Sequence, residues 1–242
     1  MKIPKVTSKQ MREVDDLMMK YQISLLQMME NAGRNLATLA RSNFLKGDVL
    51  NKKVFVLAGS GGNGGGGLVA ARFLFNWGAY VNVFMTKPIE ELTGATKHQA
   101  LILENMGVPL HSASSLADIS SAIDVNLILD AIIGYSLNGE PHGAAATLIE
   151  FINKTGVPIL SLDVPSGLDA TTGETYGPHT VKSTATLTLG LPKKGLYSGN
   201  GKVYRGQLYL ADISIPYEVY KEMNLEPSNG IFHKGSIIKL LN

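Results

Sequence analysis

Cysteine is absent from the 242 residues, which excludes disulfides, thiolate metal sites and a cysteine nucleophile. Charge is sparse as well. Charged residues make up 17% and the formal net charge is +2, so there is no electrostatic footprint for a nucleic acid. The opening MKIPKVTSKQMREVDD lacks the apolar stretch of a secretory signal, and no apolar run is long enough to cross a bilayer. Neither nucleic acid nor membrane is expected as a partner, and a cytoplasmic location is expected. His98, His111, His142, His179 and His233 are scattered without metal-ligand spacing, and no serine sits in a G-x-S-x-G elbow.

Against these absences stand hydrophobic residues at 45%, enough for a large core, and an excess of glycine. Two helical patterns open the chain. Thr7 and Ser8 are N-cap candidates before Met11, Val14, Leu17, Met18 and Tyr21; after Gln22–Ser24, Leu25, Met28, Met29, Ala32, Leu36 and Leu39 repeat the period. Core packing is the simpler reading of the methionines here, with a subunit interface as the alternative.

From Lys53 onward short apolar runs alternate with helical stretches. Strands are predicted at 53–58, 80–85, 126–131, 157–162, 185–190 and 207–212, and helices near 67–77, 94–106, 114–123 and 143–154. Apolar strands without strict alternation, separated by helices, imply a mostly parallel sheet covered on both faces. No linker, low-complexity segment or repeat divides residues 1–242, so one α/β domain is expected. The tail after Lys221 has little pattern and is expected to dock on the surface.

Parallel sheets bind ligands beyond the C-terminal ends of their strands. Four unusual segments fall at that edge: GSGGNGGGG, DAIIGYSLNG, DVPSGLDATTG and LPKKGL, beginning at Gly59, Asp130, Asp163 and Leu191. Six glycines and Asn63 fill positions 61–67. Gly59, Gly61 and Gly64 fit G-x-G-x-x-G between a strand and a helix, an arrangement suited to cradling phosphates. Close helix–strand packing would account for about two of these glycines. The second strand, however, runs into Thr86–Lys87–Pro88 without the acidic residue that holds a ribose, which disfavours a hydride-transferring NAD enzyme. A P-loop is excluded because no Gly-Lys-Ser/Thr follows.

Asp130 and Asp163 each end an apolar strand, where a carboxylate must be solvated, hydrogen-bonded or paired. Asn63, Asp130 and Ser166 would supply neutral and anionic oxygens only, which suit a hard cation rather than zinc. Lys193 and Lys194 could face anions on the rim, although surface lysines are usually only solvated.

With MMENAGRNLA, GNGGGGLVAARFL, LTGATKHQA, DAIIGYSLNG and LDVPSGLDATTG in this order, the chain resembles the NAD(P)H-hydrate epimerase family, also called the YjeF N-terminal domain. The resemblance runs from Thr7 to about Tyr217. It implies a Rossmann-like three-layer αβα sandwich, a homodimer, and epimerisation at C6 of hydrated NADH and NADPH, which are the expected substrates. A separate NAD(P)H-hydrate dehydratase, acting on one epimer, is the implied pathway partner. One potassium ion (K+) per subunit would be held by Asn63, Asp130 and Ser166. Substrate-binding positions fall on Gly62, Asn63, Gly64, Gly65 and Gly66, on Gly134, Tyr135, Ser136, Leu137, Asn138, Gly139 and Glu140, and on Asp163. Asp163 is the expected acid/base or ring-stabilising carboxylate, because inversion requires reversible loss of a proton or hydroxyl at a cationic ring. Three positions depart from the family pattern: Gly62 stands where an asparagine is usual, Gly66 where an aspartate is usual, and Asn138 where many members have a basic residue. The alternative reading is a catalytically weakened nucleotide-binding or scaffold member of the same fold. Gly66→Asp is expected to restore a helix-start contact.

Overall fold

The computed structural model describes residues 3–118, 124–225, 227–228 and 230–240. The chain opens with helices α1 (Ser8–Lys20) and α2 (Leu25–Leu39). Each begins with a reciprocal capping box, Thr7 with Gln10 and Ser24 with Gln27, which satisfies amide donors that have no partner within the helix. The buried faces carry Met11, Val14 and Met18 on α1 and Met28, Met29, Ala32 and Leu36 on α2, so four of these methionines pack in the core while Met19 is exposed.

Strand β1 (Lys53–Ala58) follows, then α3 (Gly62–Asn76), β2 (Tyr80–Met85), α4 (Gly94–Asn105), β3 (Leu110–Ser112) and β4 (Leu127–Ala131). The second half contains α5 (Ala144–Asn153), β5 (Ile159–Leu162), β6 (Ala185–Leu189), α6 (Gly201–Tyr204), β7 (Gln207–Ala211), α7 (Tyr217–Glu222) and β8 (Ile237–Lys239). One eight-stranded sheet results, ordered β3-β2-β1-β4-β5-β6-β7-β8, parallel throughout except for antiparallel β8. Residues alternate between two cores. Val54, Val56 and Leu129 face α2, α3 and α4, whereas Phe55, Leu57 and Ile128 face α5, giving three αβα layers.

All six predicted strands form, within two residues at each end. Three expectations are corrected. The third helix starts at Gly62 rather than near 67, so the glycine run is helix and not loop. The tail after Lys221 does not merely dock on the surface, since it supplies β8 and closes the sheet edge beside β7. Of the helix expected at 114–123, only a 3₁₀ turn over Ala113–Asp118 is seen, and positions 119–123 lie outside the described residues.

Candidate active site

Strand order reverses between β1 and β4, and there the crevice beyond the strand ends opens. Position 59, just past β1, must be glycine because a Cβ would lie 1.9 Å from the Ile132 carbonyl oxygen on the opposite lip. Chain direction then turns sharply into α3. Gly61 is the N-cap and has no side chain to cap the helix, so the first-turn N–H groups of Gly62, Asn63 and Gly64 lack a capping side chain.

The remaining glycines do something else. An added Cβ would sit 1.8 Å from the Gly59 carbonyl oxygen at Gly64, 2.6 Å from Met29 at Gly65, 2.8 Å from Leu162 Cδ2 at Gly66 and 2.5 Å from Ala131 Cβ at Gly67. Gly33 on α2 completes the seam, where a Cβ would meet Val69 Cβ at 2.4 Å and the Gly66 oxygen at 2.5 Å. Packing therefore accounts for four glycines of the run, not two, and lets α3 sink between α2 and the sheet. The same burial corrects the expectation for Gly66→Asp. Gly66 is the fifth helical residue, past the turn where a carboxylate caps free N–H groups, and it is buried against Leu162 and Ala32.

A cavity of about 270 Å³ lies where α1 and α2 cover this edge. Each of the four rim segments reaches it: Gly62 and Asn63 from the first, Gly134, Tyr135 and Ser136 from the second, Asp163 from the third and Lys193 from the fourth. Met11, Leu25, Met28, Met29 and Ile213 form its apolar wall, and Asp15 of α1 adds a carboxyl. Leu137, Asn138, Gly139 and Glu140 do not line this cavity, and the Glu140 carboxylate pairs with His179 Nδ1 at 3.0 Å. Gly64, Gly65 and Gly66 lie buried in the helix–sheet seam beside it.

Asp163 is held in an unusual backbone conformation. Its φ is +68°, and the Val164 N–H donates to the Leu162 carbonyl at 2.9 Å, closing a tight three-residue turn around it. That turn aims the carboxylate back over the strand ends. Oδ2 accepts from the Tyr135 backbone N–H at 3.0 Å, and Oδ1 pairs with Lys193 Nζ. Lys193 also donates to the Leu189 carbonyl at 2.8 Å and is fully buried. Of the two readings for the lysines, Lys193 takes the one that faces an anion at the rim, while the adjacent Lys194 is exposed. Gly134 brings the groups close: a Cβ there would stand 3.2 Å from both Asn63 Oδ1 and Asp163 Oδ2.

Asp130, on β4, is fully buried. Its Oδ1 accepts from Ser166 Oγ at 2.6 Å and the Ile132 N–H at 3.3 Å; Oδ2 accepts from Ser161 Oγ at 2.7 Å and the Ser166 N–H at 2.9 Å. Burial pushes the carboxyl above its ordinary range, and these four hydrogen bonds oppose the shift. No basic side chain is among its hydrogen-bond or ion-pair partners in the described residues. Ser166 Oγ also accepts from the Ile133 N–H at 2.8 Å, and Asn63 Nδ2 is buried without a hydrogen-bond partner among the described residues. Asp130 and Ser166 offer oxygen donors with one formal charge, the kind a hard cation takes, whereas the unpartnered Asn63 atom is an amide NH2 that calls for an acceptor. Among the described residues no cluster of three His, Asp or Glu side chains could hold a more demanding metal.

Fold and site together define a Rossmann-like α/β protein whose ligand cavity lies at the strand-end crevice, with a buried carboxylate–lysine pair in its wall. A model of the YjeF-related protein N-terminus matches residues 25–195. An NAD(P)H-hydrate epimerase of Dehalogenimonas lykanthroporepellens is 41% identical over 98% of this chain and 93% of its own. A bifunctional NAD(P)H-hydrate repair enzyme Nnr of Moorella thermoacetica is 37% identical over 88% of this chain and 41% of its own length. The crystal structure of yeast ynu0 matches with a TM-score of 0.82 at 30% identity, covering 98% of this chain and 100% of that one. The chain belongs to the YjeF-related protein N-terminus family.

Asp15 is not legible in the sequence as a cavity residue, and Lys193 is legible only as one of two lysines that could face anions on the rim. Lys193 sits in LPKKGL at the correct rim, but two adjacent lysines look solvated. Asp15 occupies a helix whose sequence signal is its methionine face.

Proposed function

We propose that this chain is an NAD(P)H-hydrate epimerase, an isomerase that interconverts the R and S epimers of C6-hydrated NADH and NADPH in nicotinamide nucleotide repair. The observation that carries this reading is the convergence of all four rim segments on one cavity walled by the buried Asp163–Lys193 pair. Relatives bearing that activity's name share most of the chain.

The hydrated ring enters the cavity against its methionine wall. The N-terminus of α3 faces the pyrophosphate, whose charge its free N–H groups and dipole favour. C6 carries the hydroxyl and is bonded to N1, so loss of the hydroxyl leaves a cationic ring. Asp163, one half of an ion pair and anchored by the Tyr135 N–H, supplies negative charge that needs no rearrangement when that cation forms. Lys193 fixes the direction of the carboxylate.

Potassium belongs to the same reading, with Asn63, Asp130 and Ser166 as its holders. When bound, it supplies positive charge that balances buried Asp130 beside the dinucleotide. A homodimer, a cytoplasmic location and a separate dehydratase for one epimer complete the proposal. No helix among the described residues is long and apolar enough to cross a membrane. The test is incubation of the purified protein with the R epimer in potassium buffer, following the S form by chromatography. Equilibration at the spontaneous rate overturns the reading.

A further inference from the structure

Asp15 is a carboxyl in the cavity wall with no established task. It comes from α1, whereas Asp163 follows β5, and a single residue connects them. Tyr135 donates its backbone N–H to Asp163 Oδ2 at 3.0 Å and its phenol to Asp15 Oδ2 at 2.5 Å. Tyr135 thus holds both carboxyls at the wall of one cavity. Asp163 has Lys193 as its ion-pair partner; Asp15 forms no ion pair among the described residues. One cavity therefore presents two differently prepared carboxyls.

We propose that Asp15, oriented by Tyr135, is the general acid–base of the epimerisation, acting at the C6 hydroxyl while Asp163 faces the cationic ring. This rests on the epimerase reading. Asp15 gives its carboxyl proton to the C6 hydroxyl oxygen. The C6–O bond breaks with its electron pair on oxygen, which leaves as water, and the N1 lone pair forms a second N1–C6 bond. Water then adds to the opposite face of C6, the second N1–C6 bond returns to N1 as a lone pair, and the released proton passes to solvent, from which Asp15 is reprotonated. Starting from the other epimer, the same steps run backward and the Asp15 carboxylate takes the proton of the water that adds on its side. Atoms and charge balance without an oxidant or a further reactant.

The surroundings suit an acid. Burial is the largest influence on Asp15 and pushes its carboxyl up; Asp163 and Asp16 push the same way, while the Tyr135 hydrogen bond and Lys193 oppose. Arg12, on the same helix, acts on Tyr135. These are the charged and titratable groups that face the pair from α1, the loop after β4, the end of β5 and the segment after β6. A raised carboxyl keeps its proton closer to neutral pH, where a general acid is most effective.

The test compares wild type with Asp15→Asn, Asp15→Glu and Tyr135→Phe, measuring kcat and KM for R-to-S equilibration across pH. Asp15→Asn should lower kcat about 10²–10⁴-fold with little change in KM. It should also abolish the limb on which the wild-type rate falls with rising pH, and Asp15→Glu should restore part of both. Tyr135→Phe should move that limb to higher pH, because it removes a hydrogen bond that favours the Asp15 anion. The proposal is overturned if Asp15→Asn works near the wild-type rate, or loses rate while keeping the wild-type limb. Should Asp15→Asn not fold, an unshifted limb in Tyr135→Phe overturns it. An inactive wild type refutes the epimerase reading itself, whereas an active wild type with an active Asp15→Asn refutes only the role of Asp15.

Discussion

Gly64→Ala adds one methyl group at the place where α3 meets the end of β1. In a helix, alanine is favoured over glycine by about 1 kcal/mol, so on propensity alone the substitution stabilises. Packing opposes it. The new Cβ would lie 1.8 Å from the Gly59 carbonyl oxygen, 2.6 Å from its carbon and 2.8 Å from its nitrogen. All three are backbone atoms that cannot swing aside as a side chain would. Gly59 is itself pinned, donating to the Ala131 carbonyl at 3.1 Å and pressed against Ile132. Overpacking costs about 1–3 kcal/mol when side chains can adjust, and a rigid backbone puts this case at or above the upper end. The balance is a loss of about 2 kcal/mol or more, which lowers Tm by about 4–8 °C for a chain of this size. Gly62→Ala is the control: the nearest atom to its Cβ is Met29 Cε at 4.0 Å, so thermal stability should hold or rise slightly. Thermal unfolding by circular dichroism measures both. Equal melting temperatures for the two variants would refute the packing account of the glycine run.

Lys193→Met should destabilise the fold by about 3–5 kcal/mol in urea denaturation, since it leaves Asp163 buried without its cation; adding Asp163→Asn should recover much of that loss. Recovery of nothing would show that the pair is not the source. If Asn63, Asp130 and Ser166 hold potassium, the ion should raise the wild-type Tm, and Asp130→Ala should abolish the increment more completely than Asn63→Ala or Ser166→Ala. An increment that survives Asp130→Ala removes the site. Stability should also depend on Asp15. Its folded pKa is raised, so its contribution is complete below the ordinary carboxylate value and is lost as pH rises through the raised one. Unfolding free energy followed upward from about pH 4 should fall less in Asp15→Asn than in wild type. Identical slopes would contradict the shift.

The strands were legible because β-branched and apolar runs between helical stretches leave few alternatives, and KVFVLA and YVNVFM match β1 and β2 residue for residue. Asp130 and Asp163 stood out because a carboxylate at the end of an apolar strand needs a physical reason. The glycine run looks like loop in the sequence because glycine is a poor helix former, yet the same lack of side chains lets α3 approach α2 and the sheet closely enough for tertiary packing to outweigh propensity. Strands β3 and β8 are three residues each at the two sheet edges, too short for a period to register. The place of Asp15 in the cavity and the burial of Lys193 have one reason for not being legible: both depend on segments distant in sequence, which only the folded chain brings over them.

Epimerisation is tested most directly by approaching equilibrium from both sides. Separate incubations begin with the pure R and the pure S epimer of hydrated NADPH, with wild type and Asp163→Ala, in potassium buffer, and the epimers are separated by chromatography. Wild type should carry both mixtures rapidly to one common R/S ratio without consuming the hydrate, while Asp163→Ala should remain near the spontaneous rate. Unaccelerated wild-type mixtures, or an Asp163→Ala variant as fast as wild type, would contradict the account.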